Sequence, residues 1–154
     1  MDYLDDYIIS TLVEPEIYSY TKEQLLAYES KESYNNCLES NLNKYFSGYI
    51  FLGAKLNKDY SIIGGISLDK ENIRKRSIYI EDFFVNSNYR NMGVATNILD
   101  YIIENKKVLF QKRRIILSLL CEDYLQSFYE KQKFSVDNLF VTNNQKVLRM
   151  IRKI

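Results

Sequence analysis

Between Ser77 and Ile103 the apolar residues change their period, and this change constrains the fold more than any other feature of the chain. Ser77 to Val85 is rich in β-branched and aromatic residues, the composition of a strand. Asn86 to Met92 is a polar loop. From Gly93 onward Ala95, Ile98, Leu99, Ile102 and Ile103 fall on one helical face, with Asn97, Asp100 and Glu104 opposite. A strand that passes through a polar loop into an amphipathic helix is the start of an α/β unit.

The flanking sequence extends the pattern. Ile8 to Val13 reads as a strand ended by Glu14-Pro15, and Thr21 with Gln24 as a capping box opening a turn of helix through Leu25, Leu26 and Tyr28. Leu38, Leu42, Tyr45 and Phe46 predict a second helix ending near Ser47-Gly48. Two strands, Tyr49 to Lys55 and Ser61 to Leu68, flank a turn at Asn57-Lys58-Asp59. Gly64-Gly65 inside the second suggests a bulge or a close backbone approach. After the central helix come a buried-type strand from Arg114 to Cys121 and a short helix from Tyr124 to Gln132. Two strands, near Phe134 to Val141 and Val147 to Ile151, complete the chain. The prediction is an α/β fold, one domain over residues 1–154, with helices packed on a central sheet that is mixed and mostly antiparallel. A length of 154 residues without linker, repeat or low-complexity tract agrees with one domain.

Composition narrows the chemistry. The chain has no histidine, which removes Ser-His-Asp and Cys-His nucleophiles, histidine general bases and any metal site that needs imidazole. Its two cysteines, Cys37 and Cys121, are too few for a disulfide framework or a zinc-thiolate site, and they suit a reducing compartment. No metal is expected. The acidic start, Met1 to Asp6, predicts no secretory leader, and the longest apolar run, Ile115 to Cys121, is too short to span a bilayer. A soluble cytoplasmic protein is the expectation. A net charge of +1 gives no general pull toward nucleic acid or membrane, so neither is an expected partner. The charge is uneven, however. Residues 1–48 carry nine acids and three bases, and residues 106–154 carry four acids and eleven bases. An acidic front suits a cationic ligand and a basic back a phosphorylated one.

The loop at the period change is suited to an anion. First-turn amides of a helix lack internal partners, and the helix dipole adds positive potential. In Arg90-Asn91-Met92-Gly93-Val94-Ala95, Gly93 permits close backbone approach and Ala95 keeps the next turn clear. This R-x-x-G-x-A run after an apolar strand resembles the acyl-CoA pyrophosphate loop of the GNAT N-acetyltransferases. Ser127 to Phe134, with Phe128-Tyr129-Glu130-Lys131, is similar to that family's F-Y-E-K-x-G-F segment. Two separated motifs in the right succession make the resemblance specific. The segment IYIEDFFV, Ile78 to Val85, followed by Tyr89-Arg90, most resembles the spermidine/spermine N-acetyltransferases, and Tyr28-Glu29 is similar to their polyamine-holding pair.

The resemblance implies acetyl transfer from acetyl-CoA to a small-molecule primary amine, a polyamine or diamine first, by direct attack. Acetyl-CoA is then a co-substrate, its pantetheine on the backbone of Phe83, Phe84 and Val85 and its diphosphate on the amides of Arg90, Asn91, Met92, Gly93, Val94, Ala95 and Thr96. Lys131 or Lys133 is a candidate for the outer phosphate, and an exposed amide near Phe84 for the oxyanion. Tyr28, Glu29, Glu81 and Asp82 would bind the amine. An alkylamine has a reference pKa near ~10.4 and must lose a proton before attack. With no histidine, the acceptor must be a carboxylate, a tyrosine or a water relay; the resemblance points to Glu81 as the catalytic acceptor, with Asp82 or water as alternatives, and to Tyr129 as the general acid for the leaving thiolate. Adjacent strand residues point to opposite faces, so a bulge, which the family has, is needed if Glu81 and Asp82 share a pocket. Otherwise one of them is a surface charge meeting Arg74 or Arg76. Phe128 is assigned to the core. Against the family pattern, Glu122 stands where Asn is common, Lys133 replaces the usual glycine, and Val141 stands where the polyamine enzymes place an acid. An amino acid, amino sugar or protein amine is the alternative acceptor, and a non-catalytic acetyl-CoA-binding module the alternative class. A homodimer formed through the C-terminal strands is implied by the same resemblance.

Overall fold

In the computed structural model, residues 6–154 are described; Met1 to Asp5, part of the acidic start that bears on a leader, lie outside the described residues. The strands are β1 (Tyr7–Thr11), β2 (Ile50–Leu56), β3 (Ile62–Asp69), β4 (Ser77–Val85), β5 (Ile116–Glu122), β6 (Ser135–Thr142) and β7 (Gln145–Lys153). The helices are α1 (Glu14–Ala27), α2 (Tyr34–Phe46), α3 (Val94–Phe110) and α4 (Gln126–Lys131). One sheet runs β1-β2-β3-β4-β5-β7-β6, antiparallel at every junction except β4–β5, which is parallel. This is the mixed, mostly antiparallel α/β architecture expected.

Apolar side chains fill both faces of the sheet. On one, Val94, Ile98, Leu99 and Ile102 of α3 pack against Ile66, Leu68, Ile78, Ile80 and Phe83, with Leu125 and Tyr129 at the margin. On the other, Ile17, Tyr20 and Ala27 of α1 pack against Phe51, Ile62 and Phe84, with Leu38, Leu42 and Tyr45 of α2 alongside. Each fully buried aliphatic or phenyl side chain contributes about 1.5–3 kcal/mol.

Helix α1 starts earlier than the sequence suggests. Pro15 lies in its first turn, where a missing N–H costs nothing, and Glu16 Oε1 accepts from the Val13 N–H at 3.0 Å. Thr21 and Gln24 are therefore not a capping box. Both are buried in the helix interior, where the Thr21 hydroxyl donates to Ile17 O at 2.8 Å. The Asn41 amide of α2 donates to Thr21 Oγ1 and to Gln24 Oε1, each at 2.9 Å, a satisfied polar seam between the helices.

Two irregularities shape the middle of the sheet. The β2–β3 register passes from Ala54↔Gly64 to Lys55↔Ile62, so the bulge falls at Ile63, one residue before the glycine pair. The glycines themselves serve close approach. A Cβ on Gly64 would meet Phe84 O at 3.0 Å, and one on Gly65 would meet Tyr20 Cε2 at 2.5 Å. The β3–β4 register passes from Ser67↔Asp82 to Leu68↔Ile80, leaving Glu81 as the extra residue of a bulge. Beyond that bulge the parity of β4 reverses. Ile78, Ile80 and Phe83 share the α3 face, while Phe84 joins the α1 face.

Candidate active site

The parallel pairing of β4 with β5 covers only Ser77↔Ile116, Ile78↔Leu117 and Tyr79↔Ser118. The β4 edge from Ile80 to Val85 is thus left without a strand partner on that side. Asn86 N–H donates to Ile63 O at 2.7 Å and Phe84 faces Gly65, so the backbone of Phe84 is turned to β3 and those of Phe83 and Val85 to the open edge. The amide available there is that of Phe83, adjacent to the one the sequence suggested.

That edge is held by side chains. The Tyr28 hydroxyl donates to Phe83 O and accepts from the Phe83 N–H, both at 2.9 Å. Tyr28 is 47% exposed as a residue, while its hydroxyl is seated on the strand backbone. Burial of that hydroxyl, reinforced by the negative charge of Asp82, pushes the phenol well above its usual range. Arg90 Nε donates to Val85 O at 3.1 Å and its Nη2 to Ala27 O at 2.7 Å. Its guanidinium therefore ties the end of β4 to the end of α1.

The loop from Asn91 to Gly93 turns through left-handed conformations at both ends, with φ of 62° at Asn91 and 82° at Gly93. Gly93 is the residue before α3, which has no side-chain cap, so the first-turn amides of Val94, Ala95 and Thr96 have no intrahelical acceptor. A Cβ on Gly93 would meet nothing within 4 Å. Glycine is needed there for its positive φ, and the space above it is open. The Val94 side chain is buried, Met92 is exposed, and the Thr96 hydroxyl donates to Gln132 Oε1 at 3.0 Å, joining α3 to the end of α4.

The bulge brings the two carboxylates of β4 to one cation. Lys44 Nζ of α2 lies 3.5 Å from Glu81 Oε1 and 3.9 Å from Asp82 Oδ2. It takes the place the sequence reading offered to Arg74 or Arg76. Asp82 Oδ2 also accepts from the Ser67 hydroxyl at 3.1 Å, and Ser67 Oγ accepts from the Asp82 N–H at 3.1 Å. Burial raises the Asp82 carboxyl above the ordinary aspartate range; Lys44 and Ser67 oppose the shift, and the charges of Glu81 and Glu32 add to it. Glu29 is exposed just beyond the end of α1, with φ of 50°, and does not join this cluster through any hydrogen bond or ion pair among the described residues.

Tyr129 of α4 packs against Phe83, Phe128 and Phe134, with ring centroids 6.5, 5.0 and 5.8 Å away. Its hydroxyl makes no hydrogen bond among the described residues. Burial, and after it the nearby Cys121 thiol, pushes the phenol up to about 12. Tyr129 and Tyr28 both lie against Phe83, the first through its ring and the second through its hydroxyl. Phe128, assigned to the core from the sequence, is 41% exposed instead: α4 is too short to bury a full face. Lys133 has φ of 67°, so the position where the family pattern has glycine does require a left-handed residue. Lys131, Lys133 and Glu122 are exposed.

Sequence reasoning missed Lys44, Ser67 and the seat of the Tyr28 hydroxyl, because each depends on which elements face one another. Among the described residues no cluster of acidic or cysteine side chains is arranged to hold a metal ion, and no helix is long and apolar enough to cross a membrane.

The profile of the acetyltransferase (GNAT) family matches residues 14–134. No curated protein sequence matches the chain significantly. Among solved structures, an aminoglycoside 6'-acetyltransferase type Ii is similar at 16% identity, with TM-score 0.76 and coverage of 94% of this chain and 96% of that one. The ribosomal-protein-S18-alanine N-acetyltransferase of Escherichia coli is similar at 13% identity and TM-score 0.75, covering 97% and 94%. The spermidine N-acetyltransferase of Vibrio cholerae, solved with CoA and spermine, is similar at 13% identity and TM-score 0.73, covering 96% and 95%.

Proposed function

The chain belongs to the acetyltransferase (GNAT) family, and on that premise we propose that it moves the acetyl group of acetyl-CoA to a primary amine, with a polyamine or diamine as acceptor. The observation that carries this reading is the convergence of three features around the end of β4: an edge at Phe83 with no strand partner, an uncapped helix start at Gly93, and two carboxylates brought together by a bulge at Glu81. The spermidine enzyme of Vibrio cholerae, a fold neighbour, supports the choice of acceptor class.

Acetyl-CoA supplies the activated thioester. The residues suit it: the first-turn amides of Val94, Ala95 and Thr96 have no intrahelical acceptor beside the open space at Gly93, where a diphosphate would sit with the loop from Arg90, and Phe83 and Val85 would present backbone groups to the pantetheine once Tyr28 and Arg90 release them. The Phe83 N–H is the oxyanion donor in this reading. Glu81 and Asp82 hold the ammonium, with Tyr28 and Glu29 flanking. Either carboxylate can take its proton, and burial, which raises the Asp82 carboxyl above the ordinary aspartate range, makes Asp82 a stronger base than a solvated aspartate. Tyr129, its phenol raised to about 12, keeps its proton at neutral pH and delivers it to the departing thiolate. A thiolate released into the same desolvated cleft is raised by the same burial, so the transfer is not as uphill as reference values imply.

As one domain over residues 1–154, the protein would work in the cytoplasm as a homodimer. Support for the dimer comes from β6, an edge strand exposed along its whole length with Leu139 52% and Val141 70% exposed. The test is free-thiol release from acetyl-CoA with putrescine, spermidine, spermine, thialysine, amino sugars and peptides. Turnover is expected with the polyamines, slowed about 10²-fold or more in Tyr129→Phe. Full activity in Tyr129→Phe removes the proposed acid. Tight acetyl-CoA binding with no turnover on any acceptor makes the protein a binding module instead.

A further inference from the structure

The two carboxylates assigned to the acceptor amine already hold an ammonium group, that of Lys44, at 3.5 and 3.9 Å. We propose that Lys44 sets the affinity of the acceptor site: an intramolecular competitor on the Glu81–Asp82 pair that raises the binding threshold for every amine, a threshold that acceptors bearing two or more positive charges clear and monoamines do not. The inference rests on the proposed function and deepens it.

The competitor is built to be displaced. Lys44 comes from the last turn of α2, and its side chain, 22% exposed, keeps a path to solvent. Once released, its ammonium remains beside the carbonyls at the end of α2, which favour a cation. A monoamine that replaces Lys44 exchanges one ammonium for another and gains little. A polycation gains more, because the acidic field extends past the pair. Glu32 acts on Asp82, while Asp69, Glu71 and Glu81 all act on Tyr49, whose hydroxyl donates to Asp69 Oδ2 at 3.1 Å. A second or third ammonium on the acceptor meets these charges; a single one does not. Lys44 thus raises the threshold charge for binding without touching the acetyl donor.

The experiment compares wild type, Lys44→Met, Lys44→Arg and Lys107→Met, with spermidine and propylamine as acceptors. Thiol release gives KM and kcat, and calorimetry gives the affinity of each amine for the CoA-loaded protein. Lys44→Met should lower the KM and Kd for propylamine about fivefold, a change equal to about 1 kcal/mol, and those for spermidine by at least as much. Lys44→Arg keeps the competing charge, and Lys107→Met removes the same charge on exposed α3, so both should match wild type. An unchanged or lowered propylamine affinity in Lys44→Met overturns the inference, as does an equal effect from Lys107→Met. If wild type acetylates no amine, the proposed function fails, and calorimetry alone then decides the role of Lys44.

Discussion

Replacing Tyr28 by phenylalanine removes one oxygen and, with it, two hydrogen bonds to the same residue. The Phe83 N–H loses its acceptor and the Phe83 carbonyl its donor, both previously 2.9 Å from the Tyr28 hydroxyl. Phe83 is only 9% exposed, so its backbone has limited access to water. A hydrogen bond of this kind is worth about 1 kcal/mol net, and a buried group left unpaired costs about 1–3 kcal/mol. The β4 edge lacks a strand partner here and admits some water, so the lower figures apply and the loss is about 2 kcal/mol. The edge-on ring contact with Phe84, centroids 6.1 Å apart, is retained, which keeps packing changes out of the measurement. For a domain of this size the loss corresponds to a fall in Tm of about 4–8 °C. Urea unfolding of the two proteins checks it, with a lower midpoint and an unchanged slope expected. The same pair of proteins reports on the donor site. If CoA pairs with the Phe83 edge, wild type must first release Tyr28, so saturating CoA should raise Tm more in Tyr28→Phe. A variant within about 0.5 kcal/mol of wild type, with an equal CoA shift, refutes the assignment of that edge.

Gly65→Ala should destabilise the protein by about 1–3 kcal/mol, because the added methyl meets the fully buried Tyr20 ring at 2.5 Å and the Phe84 ring at 3.0 Å; urea titration reads the loss. Asp82→Asn should be more stable than wild type at neutral pH. The folded-state pKa of Asp82 lies above its usual 3.8, so the folded protein binds that proton more readily than the unfolded chain, and the contribution is lost as pH rises through the raised value. The stabilities of the two proteins should converge as pH falls to about 3.8, while turnover in Asp82→Asn falls at every pH; a gap that widens toward acid contradicts the sign.

What the sequence disclosed was governed by local pattern. The period change at Gly93 located β4, the loop and α3, because a dry strand and an amphipathic helix write different spacings into a short stretch. Helix α1 was harder. Its buried positions, Ile17, Tyr20, Thr21, Gln24 and Ala27, keep helical spacing, but two of them are polar and are satisfied by Asn41 on another helix. A hydrophobic pattern cannot reveal a face whose partners are amides and hydroxyls. The need for a bulge at Glu81–Asp82 followed from the alternation of strand residues, yet its existence rests on the register with β3. Lys44 left no local signal, since nothing in α2 states which strand its ammonium reaches. Lys133 could be read, as the residue standing where a glycine is usual, and its φ of 67° gives that departure a physical meaning.

The central claim is that this strand edge, loop and carboxylate pair transfer an acetyl group to an amine. The most direct measurement follows an isotopically labelled acetyl group from acetyl-CoA in the presence of spermidine, by mass spectrometry, with free thiol counted in parallel. One label on an amine nitrogen is expected for each thiol released, with both slowed together in Tyr129→Phe. Label recovered only as acetate, or left on CoA despite saturated binding, would contradict it.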